Sequence, residues 1–387
     1  MTAGRVLTGS VVLAAVLLLV TGALPIRAAL QLADRTIPVL VFVAAMTVVT
    51  ELLEAAGLFQ RVAHGVARLA RGRTLVLWGL AAALCVVTTA LFSLDTTAVL
   101  LTPVLVVVAR ASGLPVRPFA LLCIMLANTA SLFLPVSNLT NLLAQHRLAW
   151  SPSAFFLAAG LPAVVACVVP VAVLTVLHRR QLVGRYRPPT LRPLADPVLL
   201  RISQVTVTVL MVALVSGIPV WIPAVVAAAV LLVATSRRTR MIPSPRLVPW
   251  RILLFTGALF VAVETVRARG LDAALQAAAA GGRDTGSLAM LAGVGAVSAN
   301  VANNLPAYLL LEPAAGTDPA RLLALLIGVN VGPLVTPWAS LATMLWHRRL
   351  STLGEPVGWA RFAVVGALIA VLTVAASTAA LVLVRPA

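Results

Sequence analysis

Apolar residues run along this chain in long unbroken stretches, not in the short alternations of a soluble fold. VLTGSVVLAAVLLLVTGAL (6–24) and the run from Phe155 to Leu177 each match or exceed the roughly 20 residues that cross a bilayer. Further runs at 38–59, 75–92, 96–110, 200–216, 219–235, 251–267, 287–299, 304–312 and 359–384 predict more membrane helices. The first run is longer than a signal peptide core and shows no small-residue cleavage site, so it is expected to stay as a helix.

Two stretches break the pattern. NTASLFLPVSNLTN (128–141) and NVGPLVTPWASLAT (330–343) put amides, hydroxyls and prolines inside the apolar segments 118–144 and 319–346. Irregular backbone at membrane depth is tolerated only inside protein or beside a water-filled cavity. Pro135 and Pro337 have no N–H to donate and are expected to break their helices. Freed backbone groups, half-helix ends and polar side chains would then line a site.

Composition agrees with membrane burial. The chain has 387 residues, is 61% hydrophobic and only 10% charged, with a mean hydropathy of +1.06. Its net charge of +18 comes from 29 basic residues, all arginine. In a soluble chain that excess would suggest nucleic acid. Here the arginines cluster between apolar runs, at 61–73, 178–192, 236–246 and 347–349, which points to topology. No nucleic-acid partner is expected. Without lysine there is no P-loop, and no nucleotide-hydrolysing domain is present. With the clusters in the cytoplasm, the segments predict a multi-pass protein of the inner (plasma) membrane, its N-terminus cytoplasmic.

Three landmarks recur in order. Glu51 and Gly57 in TELLEAAGLF match Glu264 and Gly270 in VETVRARGLD, SLDTTAVLL (93–101) resembles NNLPAYLLL (303–311), and Asn128, Leu132, Pro135 and Leu139 match Asn330, Leu334, Pro337 and Leu341. Asp95 is set opposite Asn304 in this register. In the predicted topology each pair runs in opposite directions. The expected fold is an all-α polytopic membrane protein of two inverted structural repeats, each with a re-entrant hairpin and a broken transmembrane helix. The first repeat would cover 1–178, a cytoplasmic basic loop and connector helix 179–218, and the second, inverted repeat 219–387.

TASLFLPVSNLTNLL (129–143), IGVNVGPLVTPWASLATMLW (327–346), SLDTTAVLLTPV (93–104) and VANNLPAYLLL (301–311) resemble the ArsB-type bacterial arsenite efflux permeases of the ion transporter superfamily. The resemblance runs from about residue 38 to 365. It implies export of arsenite and antimonite, as neutral trivalent hydroxides, by proton antiport. Some members also work with a separate cytoplasmic ATPase subunit, so such a partner is implied as an option. Leu94 replaces the family's usual Asn before the Asp, and Asn128 and Asn330 stand where many members carry Asp.

Candidate residues follow from burial of polar groups in an apolar setting. Asp95, with Thr96 beside it, lies between apolar runs at the first hairpin tip. A carboxyl there is costly and tends to be functional, and it is the candidate for proton coupling. The competing reading is an N-cap for the helix that follows. Ser298, Asn300, Asn303 and Asn304 mark the second tip. Asn128, Thr129, Ser131, Ser137, Asn138 and Asn141 belong to the first broken helix, and Asn330, Thr336, Ser340 and Thr343 to the second. Each either meets substrate or ion, or caps a half-helix. Glu51, Glu54 and Glu264 read as structural, snorkelling or pairing with Arg61 or Arg267. Cys85, Cys123 and Cys167 have no ligand spacing and read as small buried apolar residues. His64, His146, His178 and His347 read as interfacial. No cofactor, metal site or enzyme motif is evident. The rival function is a sodium-coupled anion or dicarboxylate carrier, or a sodium/proton antiporter, of the same superfamily.

Overall fold

The computed structural model describes residues 2–187, 196–239, 247–271 and 282–384. Parts of the predicted basic clusters (188–195 and 240–246) and Asp272, the end of the second landmark, lie outside the described residues. Every extended element among the described residues is a helix, and eight are long and apolar enough to cross a membrane.

In chain order the helices are α1 (Thr2–Val20), α2 (Ile26–Ala55), α3 (Leu58–Leu69), α4 (Thr74–Phe92) and α5 (Leu94–Ala111). Then follow α6 (Val116–Thr129), α7 (Leu139–Leu148), α8 (Pro152–Leu182), α9 (Pro197–Val215) and α10 (Trp221–Thr239). The rest are α11 (Trp250–Val266), α12 (Thr285–Ala302), α13 (Asn304–Ala315), α14 (Pro319–Val331), α15 (Leu341–Thr352) and α16 (Trp359–Val384).

Two departures from the sequence reading matter. The second helix begins at Ile26, not 38, and carries Pro38 in its interior. An apolar environment of neighbouring helices tolerates such a proline. The basic cluster after α2, read as a loop, is the amphipathic helix α3. It buries Leu58, Phe59, Ala63 and Ala67 on one face and starts after Gly57, whose φ of 77° ends α2.

Two apolar cores organise the packing. One joins Phe42, Leu53, Trp78, Leu101, Leu122 and Met125 of the first half. The other joins Leu288, Leu291, Tyr308, Leu322 and Leu325 of the second. Each core also takes a helix from the opposite half. α15 packs on α5 and α6, placing Trp346 and Leu350 in the first core. Its Trp346 indole donates to the Ala120 carbonyl at 3.0 Å. α7 packs on α2, α13 and α14, placing Leu143 in the second core. Each broken helix thus begins in its own half and ends in the other.

Small residues allow the closest approaches. Gly328 on α14 and Gly332 just past its end form a GxxxG pair facing Ala292 and Ala296 of α12. A Cβ on Gly328 would lie 2.2 Å from the Ala292 carbonyl oxygen. Gly328→Ala should therefore cost about 1–3 kcal/mol through overpacking. Thermal unfolding of the purified variant checks this; an unchanged midpoint would contradict so tight a contact.

Candidate functional site

Both helix breaks form before the prolines first assigned to them. α6 passes into a 3-10 turn at Ala130–Leu132, ahead of Pro135. α14 stops at Val331, and Gly332-Pro333 follows at once. Gly332 still has helical φ and ψ (−66°, −29°), and Pro333 has no N–H to carry the ladder further, so Pro333 is the stop signal that the sequence reading passed over. Pro135 and Pro337 both lie inside the irregular segments. The second half-helices then start on side-chain caps with matching backbone. Asn138 (φ −151°, ψ 144°) accepts from Thr140 N, and Ser340 (φ −141°, ψ 148°) accepts from Thr343 N.

A buried amide bridge joins the two breaks. Asn330 Oδ1 accepts from Asn138 Nδ2 at 2.8 Å and from Thr140 Oγ1 at 2.7 Å. Asn330 Nδ2 donates to Asn141 Oδ1 at 2.6 Å. Asn141 Nδ2 in turn donates to the Ser131 and Leu134 carbonyls of the irregular segment at 2.6 and 3.0 Å. Asn138, Thr140, Asn141 and Asn330 are all buried. Thr140, which the sequence reading did not single out, is a full member.

Asn300 performs the corresponding task at the second break. It donates to the Ala296 and Gly332 carbonyls, both at 2.8 Å, and its Oδ1 accepts from Val335 N and Thr336 N at 3.2 and 3.0 Å. Its carbonyl accepts from Thr336 Oγ1 and the Trp338 indole, each at 2.8 Å. Asn304 N donates to Ala339 O, and Asn303 Nδ2 to Trp338 O, both at 2.9 Å. On the first side Ser137 Oγ reaches Ala90 O of α4, also at 2.9 Å. Each hairpin is therefore hydrogen-bonded to the break of its own half. Ser298 is half-buried on α12 and stands apart from these bonds.

Each hairpin turns on a single non-glycine residue in a backbone region that favours glycine. Ser93 has φ 143° and Asn303 φ 93°. Such a conformation costs about 1–3 kcal/mol and persists only where its surroundings over-determine it. Ser93 Oγ accepts from Thr96 N, and Asn303 Oδ1 from Leu305 N, both at 3.3 Å. These turns set the two hairpins in register with each other. Ser93 pairs with Asn303, so Asp95 stands opposite Leu305, not Asn304. The capping reading of Asp95 also falls, because Ser93 is the N-cap. Asp95 is half-buried, its Oδ1 is shielded from solvent, and that atom has no hydrogen-bond partner among the described residues. A π-helical turn, Thr97–Leu101, follows it directly. Asn128 Oδ1 is likewise buried without a partner, while its Nδ2 donates to Ile124 O.

Comparisons with known proteins decide the family. The profile described as CitMHS, citrate transporter, matches residues 1–343. The chain belongs to this family. An arsenical pump membrane protein of Yersinia enterocolitica is 30% identical over 343 residues, covering 81% of this chain and 79% of its own. One from Escherichia coli is 29% identical over 348 residues, with the same coverage. The crystal structure of the Alcanivorax borkumensis YdaH transporter, reported as having an unusual topology, superposes with a TM-score of 0.57 at 13% identity. It covers 91% of this chain and 87% of that one, and shows a shared fold. The protein is a membrane transporter, not an enzyme.

The transporter holds its other buried acid very differently. Glu312 on α13 is fully buried and bound by Arg35 of α2, by Arg267 at 3.4 Å and by the Tyr308 hydroxyl at 3.0 Å. Arg267 also reaches Glu264 at 3.4 Å, as the sequence allowed. Arg35 enters this cluster only because α2 starts early. Glu54 pairs at 3.9 Å with Arg349, not with Arg61. All three cysteines are buried and free, and Cys123 Sγ exchanges weak hydrogen bonds with Thr102 Oγ1 (3.4 Å) and Thr97 O (3.5 Å). Among the described residues no three His, Cys, Asp or Glu side chains converge as metal ligands.

Asn330→Ala should strand buried groups on Asn138, Thr140 and Asn141, at about 1–3 kcal/mol for each left unpaired. Ser298→Ala should change stability by no more than about 0.5 kcal/mol. Paired unfolding measurements on the two variants check the contrast; equal effects would deny the bridge its role.

Proposed function

We propose that this transporter exports arsenite and antimonite, as neutral trivalent hydroxides, from the cytoplasm by proton antiport. The observation that carries this reading is the chemistry where the two breaks meet: amides and hydroxyls, with no arginine in 128–141 or 330–343. A small uncharged polyhydroxide needs donors and acceptors and no counter-charge. The arsenical pump names of the relatives support the same cargo.

Asp95 is the proton-carrying group in this mechanism. Glu312 is held by two arginines. Among the described residues Asp95 has no such cation and has an unpartnered oxygen at a hairpin tip, so its protonation can follow hydration of the tip. The two halves are read as inverted repeats, and the hairpins and crossing half-helices as the bodies that alternate access. The protein would sit in the plasma membrane with its N-terminus and arginine-rich loops cytoplasmic. Proton antiport alone suffices to drive export; a cytoplasmic ATPase subunit would be an additional drive.

The family description favours one rival, a carrier of citrate or another carboxylate coupled to sodium. Everted membrane vesicles separate the two. A pH gradient without sodium should drive arsenite accumulation, and citrate should not compete; sodium-dependent citrate uptake would replace this reading. Expression in an arsenite-sensitive bacterium should raise resistance and lower cell-associated arsenic. Asp95→Asn should lose net proton-driven flux while arsenite exchange persists; full proton-driven flux would remove Asp95 from coupling.

A variant with Cys85, Cys123 and Cys167 all replaced by Ala or Ser should keep transporting. Loss of flux in a correctly folded, cysteine-free protein would assign the thiols a part in binding.

A further inference from the structure

The ends of α4 and α8 are stapled by a short backbone clasp. Tyr186 N donates to Gly72 O at 2.8 Å, and Thr74 N donates to Gly184 O at 3.2 Å. Between these bonds Arg73 and Arg185 form an isolated antiparallel bridge. The clasp is specifically built. Gly72 has φ 74°, and a Cβ there would lie 2.7 Å from the Tyr186 carbonyl oxygen. The preceding Arg71 also adopts a positive φ, 49°. Tyr186 is buried, and its hydroxyl donates to the Ala67 carbonyl of α3, fixing that helix to the clasp.

The clasp gathers positive charge that no ion pair among the described residues offsets. Arg71, Arg73, Arg185 and Arg187 are exposed, while Gly72, Thr74 and Tyr186 between them are buried. Arg61 and Arg68 extend the same charge along α3. Among the described residues none of these six forms an ion pair. Glu54, at the end of neighbouring α2, is engaged by Arg349, and segment 188–195 contains no acid. Arg73 and Arg185 stand directly opposite each other, an arrangement in which like charges destabilise. Such a pair calls for an anion.

Location identifies the anion. α4 begins at Thr74 and α8 ends at Leu182, so the clasp lies where two spanning helices leave the membrane. Leu69, Leu75 and Val183 beside it are 65%, 59% and 81% exposed. Exposed apolar side chains interleaved with arginine at that level suit the boundary between headgroups and acyl chains. We propose that the clasp and α3 form a binding platform for the phosphate groups of acidic phospholipids. Arg73 and Arg185 share a headgroup across the bridge, and Arg61, Arg68, Arg71 and Arg187 extend the surface.

The test uses the full-length transporter purified in neutral detergent and titrated with phosphatidylglycerol or phosphatidylcholine, followed by thermal unfolding and by native mass spectrometry. Phosphatidylglycerol should bind and raise the unfolding temperature, less so at high salt, and phosphatidylcholine should not. R71Q/R73Q/R185Q/R187Q should lose affinity by roughly fivefold per arginine. R110Q, which removes an arginine already paired with Glu355, should retain it. A milder variant, R73Q/R185Q, guards against misfolding and gives a sign test. Relieved of repulsion, it should unfold above the wild type in phosphatidylcholine and below it in phosphatidylglycerol. The same rank order in both lipids, or undiminished phosphatidylglycerol binding by the quadruple variant, overturns the proposal. So does inorganic phosphate reproducing the full stabilisation, or polyglutamate binding more tightly than the lipid, which would make the platform a site for a free anion or an acidic protein.

Discussion

A backbone that leaves helical geometry inside a membrane must find partners for every N–H and C=O it frees, because no lipid tail can supply them. This chain does so twice, at 130–138 and 332–340, and the arrangement of the rest follows. At the first break Asn141 reaches back to two carbonyls of the irregular segment, those of Ser131 and Leu134. At the second, Asn300 reaches across from a hairpin and serves donors and acceptors on both sides of the gap. The solutions differ, and both use an amide, the side chain that can give and take hydrogen bonds at once. Asn330 then ties the two breaks together.

That bridge sits where the halves of the molecule exchange helices. α7 leaves the first half to pack in the second core, and α15 makes the reverse journey. Polar groups in the middle divide into two kinds. Asn138, Thr140, Asn141, Asn300 and Asn330 spend their hydrogen-bonding capacity on the protein itself, whereas Asp95 Oδ1 and Asn128 Oδ1 do not. In the proposed mechanism the second kind meets cargo or a proton directly, and the first exchanges a bond within the protein for one to cargo.

Charge is partitioned as sharply. The one fully buried carboxylate among the described residues, Glu312, is surrounded by arginine and tyrosine, which a buried ion requires. The arginines of the clasp form no ion pair among the described residues. The first is a closed internal balance; the second is open toward whatever lies outside the protein.

Hydrophobic runs and polar interruptions were enough to read an all-helical, many-spanning transporter, its two hairpins and its two broken helices, because membrane burial writes itself directly into residue type. The recurring motifs were also legible, although spacing alone set Asp95 one register away from its structural counterpart; only the turn at Ser93 and Asn303 fixed that pairing. The early start of α2, hidden by Pro38 and charges, and the helical nature of the basic segment 58–69 escaped for the same reason: neighbours supply the burial that local composition lacks. Tertiary structure alone decided which polar residues face one another. Amides 189 to 192 residues apart bond across the centre, and arginines at 73 and 185 meet on one clasp. Sequence records the presence of a donor or an acid; the crossing of helices determines what remains for it to bind.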